Sequence, residues 1–297
     1  MNQRGEDNRL CNNCGTDGRH GIEDRCRACN YPVAQWAPNV QAAARTNQVT
    51  ALEARYQTAR SSALARGVGD ELQRLESLAG RADTVVSMPI GLAYDLFTRS
   101  DATYAPYAKL VAGGVRSPAN LDSDRRRRTV DSLLYGHYAE TIVFGSLSTD
   151  GRGLSSYGAV HTRLRESTVA YRSTVLEENS FSFVRRHEVG PDKPFPAGRL
   201  SRWEERHKLA VSKLAPKIKA GMSESECSEL ILHPAESRDL DEFLEVHVYG
   251  NFNFQAVSGL RVLTSSAQRT LRDRVEGLQV RVLKKRSAAL SLEWSEE

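Results

Sequence analysis

Long apolar runs are missing from this 297-residue chain. No stretch approaches the roughly 18 consecutive apolar residues a membrane-crossing helix needs, so no membrane partner is expected. The first ten residues, MNQRGEDNRL, have no apolar core and do not form a signal peptide. The expected location is the cytoplasm, or outside the cell by a specialised route that the sequence does not show. A strong charge excess is also missing: the formal net charge of +4 permits an anionic partner without requiring one. After residue 29 the only cysteine is Cys227, whose place on an apparent helix face marks it as a small packed residue rather than a nucleophile. With 40% hydrophobic and 26% charged residues, the composition is that of a folded chain, not a disordered one.

Four of the five cysteines lie in the first 29 residues, as Cys11-Asn-Asn-Cys14 and Cys26-Arg-Ala-Cys29. Two CxxC pairs at this separation suit a tetrahedral structural zinc site, and Gly15 supplies a permissive backbone where a tight knuckle turns. The alternatives are a redox dithiol or two disulfides, and disulfides do not persist in a cytosolic chain. A ribbon this short folds by binding its metal. Residues 1–40 hold five arginines and five acidic residues, so they offer no net attraction to phosphates. His20, Tyr31 and Trp36 are candidates to stack on bases or to pack the knuckle.

The expected organisation is a zinc ribbon over residues 1–38, a helical linker over 39–83 and an α+β domain over 84–297. Val49, Leu52, Tyr56, Ala59 and Ala63 follow helical spacing, Gly67 and Gly69 interrupt it, and Leu72, Leu75 and Leu78 resume it. In the third part, Thr84–Met88 is a strand candidate, and Pro89 precedes a helix with Leu92, Leu96 and Phe97 on one face. Ser123 is placed to cap a helix through Leu134, which puts Arg125, Arg126, Arg127 and Arg128 in its first turns. Cations there oppose the helix dipole, a hint that an anion or acidic partner is met, although a solvated charged face remains the simpler account. Thr141–Leu147 is a strand with an internal glycine, Gly145, that allows another backbone or a ligand to come close.

The stretch from Gly153 to Phe183 alternates apolar and polar residues twice, with Val160 and Leu164 in one register and Val169, Tyr171 and Val175 in another. It predicts two half-buried strands that form the floor of a binding site, with Arg172, Ser173 and Thr174 set inside the second. Arg185–Glu188 lead into a proline-rich loop. Helices are predicted over Trp203–Lys219 and over Ser223–Leu232, where Ser223 and Glu226 have capping-box spacing. Phe243–Gly250 is an alternating strand with Glu245, His247 and Tyr249 on one face and Leu244, Val246 and Val248 on the other. Gly259–Thr264, a helix near Ser266–Val275 and a last strand over Leu278–Lys284 complete the chain. Residues 261–286 are its most basic region, with eight basic and two acidic residues.

The order IVFGSL, SYGAVHTRL, AYRSTVLEENS and EVHVYGNFNFQAVSGLRVL resembles a broad set of bacterial and phage toxin-like domains related to ADP-ribosyltransferases, over roughly Arg125 to Leu263. The resemblance implies a mixed, split β-sheet with flanking helices that clamps NAD in a cleft. The implied activity is transfer of ADP-ribose to a macromolecular acceptor, nucleic acid or protein, by a toxin or effector that an antitoxin-like partner would neutralise. It implies that Glu245 is the catalytic acid of an E-x-H motif with His247 beside it. Tyr157 and Arg172 are then at the nicotinamide or phosphate pocket, Ser173 and Thr174 support the carboxylate, and His137 is nearest to the basic residue usual on the first core strand. The chemistry is consistent with this: breaking the nicotinamide–ribose bond passes through an oxocarbenium-like state that a carboxylate stabilises, and the phosphates need arginines. Two other readings stay open. One is a non-enzymatic, zinc-dependent nucleic-acid-binding protein; the other is a hydrolase using Glu245 and His247.

Overall fold

Alternation decides the centre of the fold. In LEVHVY, Leu244, Val246 and Val248 are buried in the main apolar core, whereas Glu245 and His247 turn to the other side of the sheet, as the period of two requires. The computed structural model describes residues 37–114, 121–235, 238, 240–264 and 271–297, with the side chains of 121–125 and 271–272 excepted. The zinc ribbon and its expected ligands Cys11, Cys14, Cys26 and Cys29 lie outside the described residues.

In chain order the elements are α1 (Pro38–Ala43), α2 (Thr46–Ala65), α3 (Gly69–Arg81), β1 (Asp83–Met88), α4 (Ile90–Thr98), α5 (Tyr107–Ala112), α6 (Leu121–Tyr135), β2 (Ile142–Ser148), β3 (Val160–Leu164), α7 (Glu166–Val169), β4 (Ser173–Leu176), α8 (Ser180–His187), β5 (Leu200–Arg202), α9 (Arg206–Leu214), α10 (Glu224–Ile231), β6 (Leu232–His233), β7 (Glu242–Phe243), β8 (Glu245–Tyr249), β9 (Val257–Val262), α11 (Leu271–Ala289) and β10 (Glu293–Glu296). The fold is mixed α and β, with eleven α-helices among the described residues and an eight-stranded sheet in the order β10-β9-β3-β1-β2-β8-β4-β5. All its pairings are antiparallel except β9 with β10. β6 and β7 form a separate two-stranded ladder.

One face of the sheet is apolar. Val86, Met88, Val143, Val160, Val175, Val246, Val248, Leu260 and Val262 form a single core with residues of α2, α3, α4, α9, α10 and α11. The helical tract 39–83 packs on the rest of the fold: Leu52, Tyr56, Ala63, Leu72, Leu75 and Leu78 belong to this same core, and α2 and α3 both pack on α9. The opposite face is polar near its centre. Ser146 and Glu245 are register partners there, as are Phe144 and His247, and α6 and α8 pack together on this side. Gly145 behaves as its sequence context suggested, because an added Cβ would lie 2.8 Å from the Val85 carbonyl oxygen of the neighbouring strand. Gly158 is tighter still: a Cβ would meet the Met88 carbonyl carbon at 2.1 Å. That contact fixes the SYG turn carrying Tyr157 against the end of β1.

Two expectations fail for identifiable reasons. Val169 and Tyr171 are not on a strand; residues 166–172 form two short helical turns and β4 starts only at Ser173. Val169 is buried, and its carbonyl accepts the Ser173 hydroxyl at 2.7 Å, a local bond that an extended chain would not make. The strand over Leu278–Lys284 is instead part of one helix, α11, which also covers the described end of the helix expected near Ser266–Val275 (residues 265–270 lie outside the described residues), and the last strand is β10. Val280, Leu283 and Ser287 are buried at helical spacing, whereas Leu278, needed by an alternating strand, is 58% exposed. The Ser223–Glu226 capping box is present at the start of α10, and Cys227 is packed in the core.

Candidate active site

β8 lies between β2 and β4, so side chains at its centre are fixed from both sides. Glu245 stands opposite Ser146 and Leu176; His247 stands opposite Phe144 and Thr174. The carboxylate of Glu245 is 5% exposed and lines a cleft of about 290 Å³, near the lower end of the roughly 300–1,000 Å³ found for ligand pockets. It meets donors on several sides. The hydroxyl of Ser180 donates to it in a short contact, Asn179 Nδ2 and the Ser180 N–H approach at 3.4 Å, and His247 Nε2 lies 2.9 Å from Oε1. Asn179 is also the N-cap of α8, its side chain accepting from the Phe181 N–H at 3.0 Å. The carboxylate thus sits at the N-terminal end of α8, where backbone N–H groups and the helix dipole favour negative charge.

Behind Glu245 lies a closed polar chain. Tyr135, the last residue of α6, places its hydroxyl 2.9 Å from both His247 Nε2 and Ser180 Oγ. Burial, followed by the charge of Glu245, pushes the Tyr135 phenol well above its ordinary value, so it remains a donor. A consistent set of protons follows: Tyr135 donates to Ser180, Ser180 to Glu245, and an Nε2–H tautomer of His247 to Glu245. The His247 ring is wholly buried, edge-on to Tyr135 and Phe144. It therefore lies beneath Glu245 rather than in the cleft, and acts by orienting the carboxylate.

The cleft walls carry cations and aromatic rings. Arg126 and Arg127 project from α6; the Arg127 guanidinium lies 4.5 Å from the Phe144 ring centre and 5.2 Å from that of Tyr107, with Nε 3.5 Å from Asp131. On the other wall Arg238 covers the Tyr157 ring at 4.5 Å and donates to the Ser156 carbonyl at 3.0 Å. Burial raises the Tyr157 phenol, and its oxygen is 3.4 Å from Asn179 Nδ2. Burial also raises Asp131 from 3.8 to about 7, against the pull of Arg127 and with a push from Glu245.

Of the residues singled out in the sequence, Glu245 and Tyr157 line the cleft and His247 supports it. Arg172, Ser173 and Thr174 are elsewhere. Arg172 is buried with its guanidinium donating to the carbonyls of Thr168, Tyr249 and Asn251, because the helical turn before β4 aims it along the end of β8. Ser173 donates to Val169, and Thr174, although on the His247 side of the sheet, lies under α1, where Asn39 Nδ2 reaches its hydroxyl at 3.4 Å. His137 is exposed in the 3₁₀ turn after α6, with its ring against Tyr138. Tyr135, Ser180 and Asp131 were not singled out. A signal for two of them exists: Arg127, Asp131 and Tyr135 are spaced i, i+4, i+8 and so share one helix face.

Two further clusters stand apart from the cleft. Among the described residues, the group able to offer three ligand atoms to a metal is Glu177, Glu178 and His187. Four cations already surround it: Arg55 at 2.7 Å and Arg199 at 2.6 Å hold Glu177, and Arg186 at 3.0 Å and Lys213 at 3.6 Å attend Glu178. That balance of charge makes it an ion-pair network joining α2, α8 and α9, and burial, then Arg199, lowers the His187 pKa. His161 is buried on the polar face of β3, accepting the Gly153 N–H at Nδ1 (2.9 Å). Burial, then Arg261, lowers it from 6.5 to about 4. Because the native state refuses a proton that the unfolded chain accepts, the contribution of His161 to stability is expected to fall by about 2–3 kcal/mol as pH drops from 6.5 towards 4, opposite in sign to that of the raised Asp131. Urea unfolding of wild type and His161→Asn, which keeps an acceptor, at pH 7 and pH 4.5 checks this: the variant should gain stability relative to wild type on going from pH 7 to pH 4.5.

No helix of the described residues is long and apolar enough to cross a membrane. Compared with models of known protein families and with curated proteins, the chain matches none.

Proposed function

We propose that the chain is an NAD-dependent ADP-ribosyltransferase acting on a macromolecule, and that its sheet is the split, mixed sheet of that class. The observation that carries the reading is Glu245, a donor-held carboxylate at the base of a cleft whose walls bear arginines and aromatic rings. Each requirement of nicotinamide–ribose cleavage has a candidate. Glu245 is placed to stabilise an oxocarbenium-like ribose or hold its 2′-hydroxyl, and Arg126 and Arg127 or Arg238 to pair with the diphosphate. Tyr157, Phe181 and Tyr107 offer ring faces for the nicotinamide or adenine. The cleft volume suits the nicotinamide–ribose end, leaving the adenosine half to the walls. His247, Tyr135 and Ser180 keep the carboxylate in one orientation, as a preorganised site demands.

The non-enzymatic nucleic-acid reading has less specific support, because Arg126 and Arg127 line the same cleft as Glu245. Incubation with NAD labelled in the adenylate half and a cell lysate tests the proposal. Label entering protein or nucleic acid supports it, and the acceptor class is read from nuclease or protease sensitivity. Free nicotinamide without transfer would favour the hydrolase; intact NAD would exclude both.

A further inference from the structure

We infer that Asp131 is a second catalytic carboxylate in this cleft, the base that removes the proton of the attacking acceptor hydroxyl. The inference rests on the proposed NAD chemistry and goes beyond it by adding a residue on a different element from Glu245.

Asp131 lies on α6, one turn before Tyr135, and lines the cleft together with Phe144, Ser146 and Glu245. Its side chain is 15% exposed, which leaves an approach from the cleft while removing most of its water. Two carboxylates in one cleft, in unlike environments, are the arrangement that divides charge stabilisation from proton transfer in glycosidic chemistry. Here the environments differ in kind. Glu245 is surrounded by a hydroxyl, an amide, a backbone N–H and an imidazole, whereas Asp131 meets the single guanidinium edge of Arg127. The groups bearing on Asp131 are Arg127 and Tyr135 on its own helix and Glu245 across the cleft from β8; Tyr107 of α5 and Arg128 share the adjoining recess. Its raised pKa, about 7, matches what a base working near neutrality needs.

The step balances without a redox partner. The bond between ribose C1′ and the nicotinamide nitrogen breaks, and its electron pair stays on nicotinamide, which leaves neutral. A new C1′–O bond forms to the acceptor hydroxyl, whose proton passes to Asp131. Glu245 faces the developing positive charge and neither gains nor loses a proton.

The test compares wild-type protein with Asp131→Asn, a change that keeps the shape of the side chain, in NAD turnover with cell lysate supplying the acceptor from pH 5.5 to 9, and in NAD binding. The wild-type rate should rise with pH through a limb near 7 and level off above it. Asp131→Asn should lose the limb and fall roughly 10²-fold or more at pH 8 while binding NAD within a few-fold of wild type. Because the ionised carboxylate is disfavoured in the folded state, the contribution of Asp131 to stability is lost as pH rises from 3.8 to about 7, so the same variant should unfold several degrees higher than wild type at pH 8. A variant that turns over NAD with the wild-type pH limb overturns the inference and leaves the NAD reading intact. Wild-type protein that does not turn over NAD at any pH overturns both.

Discussion

Replacing Glu245 with Gln is expected to reduce nicotinamide release by roughly 10²–10³-fold, the usual effect of removing a group aimed at charge that develops in the transition state. The substitution keeps the shape of the side chain. An amide oxygen in the Oε1 place still accepts from the Ser180 hydroxyl and His247 Nε2, but its NH₂ in the Oε2 place would face two donors, Asn179 Nδ2 and the Ser180 N–H, and the negative charge is gone. The fold should survive, because Val246 and Val248, which anchor β8 in the core, are untouched. Affinity for NAD should change far less than the rate, since the carboxylate gains most of its interaction only when the ribose becomes cationic. Single-turnover nicotinamide release alongside equilibrium binding separates the two quantities. Equal losses in rate and affinity would make Glu245 a binding group instead.

Arg172→Ala is expected to act on stability, not on the ligand. The guanidinium ties the turn before β4 to the end of β8 through Thr168, Tyr249 (2.5 Å) and Asn251 (2.9 Å), and it is 8% exposed. Removing it orphans carbonyls at a cost of about 1–3 kcal/mol each, so a loss of about 3 kcal/mol or more is expected. Urea unfolding measures it, and NAD affinity in the folded fraction should stay within a few-fold of wild type. Unchanged stability with abolished NAD binding would put the guanidinium on the ligand.

This contrast shows what the sequence could and could not reveal. The strand carrying Glu245 and His247 was legible because β-branched residues alternate with polar ones over five positions, and its two faces are occupied as that alternation requires. The arginine run was legible as a helix, α6. AYRSTV was half misleading: Tyr171, Thr174 and Val175 are strand-forming types and its last three residues lie on β4, but its first three close a helical turn held by a side-chain bond to the backbone. Side chains that look exposed on paper, Arg172 among them, were captured by carbonyls far away in sequence. The meeting of Tyr135 with Ser180 was illegible for the opposite reason, although the helix face that Tyr135 shares with Arg127 and Asp131 was not. Their importance comes from two helix ends, 45 residues apart, meeting over one carboxylate, and no local pattern encodes that encounter. At the C-terminus, Leu278, Val280 and Val282 mimic a strand, and only the docking of Val280 and Leu283 into the core selects the helix.

The claim beneath all of this is that the cleft over Glu245 receives an anionic dinucleotide. Calorimetric titration of NAD into the folded wild-type chain, and into a variant carrying both Arg126→Ala and Arg127→Ala, tests it most directly. The expected result is saturable one-to-one binding to the wild type, weakened about tenfold or more in the variant through loss of charge-assisted phosphate contacts. Absence of saturable binding at millimolar NAD, with the protein shown to be folded, would contradict it.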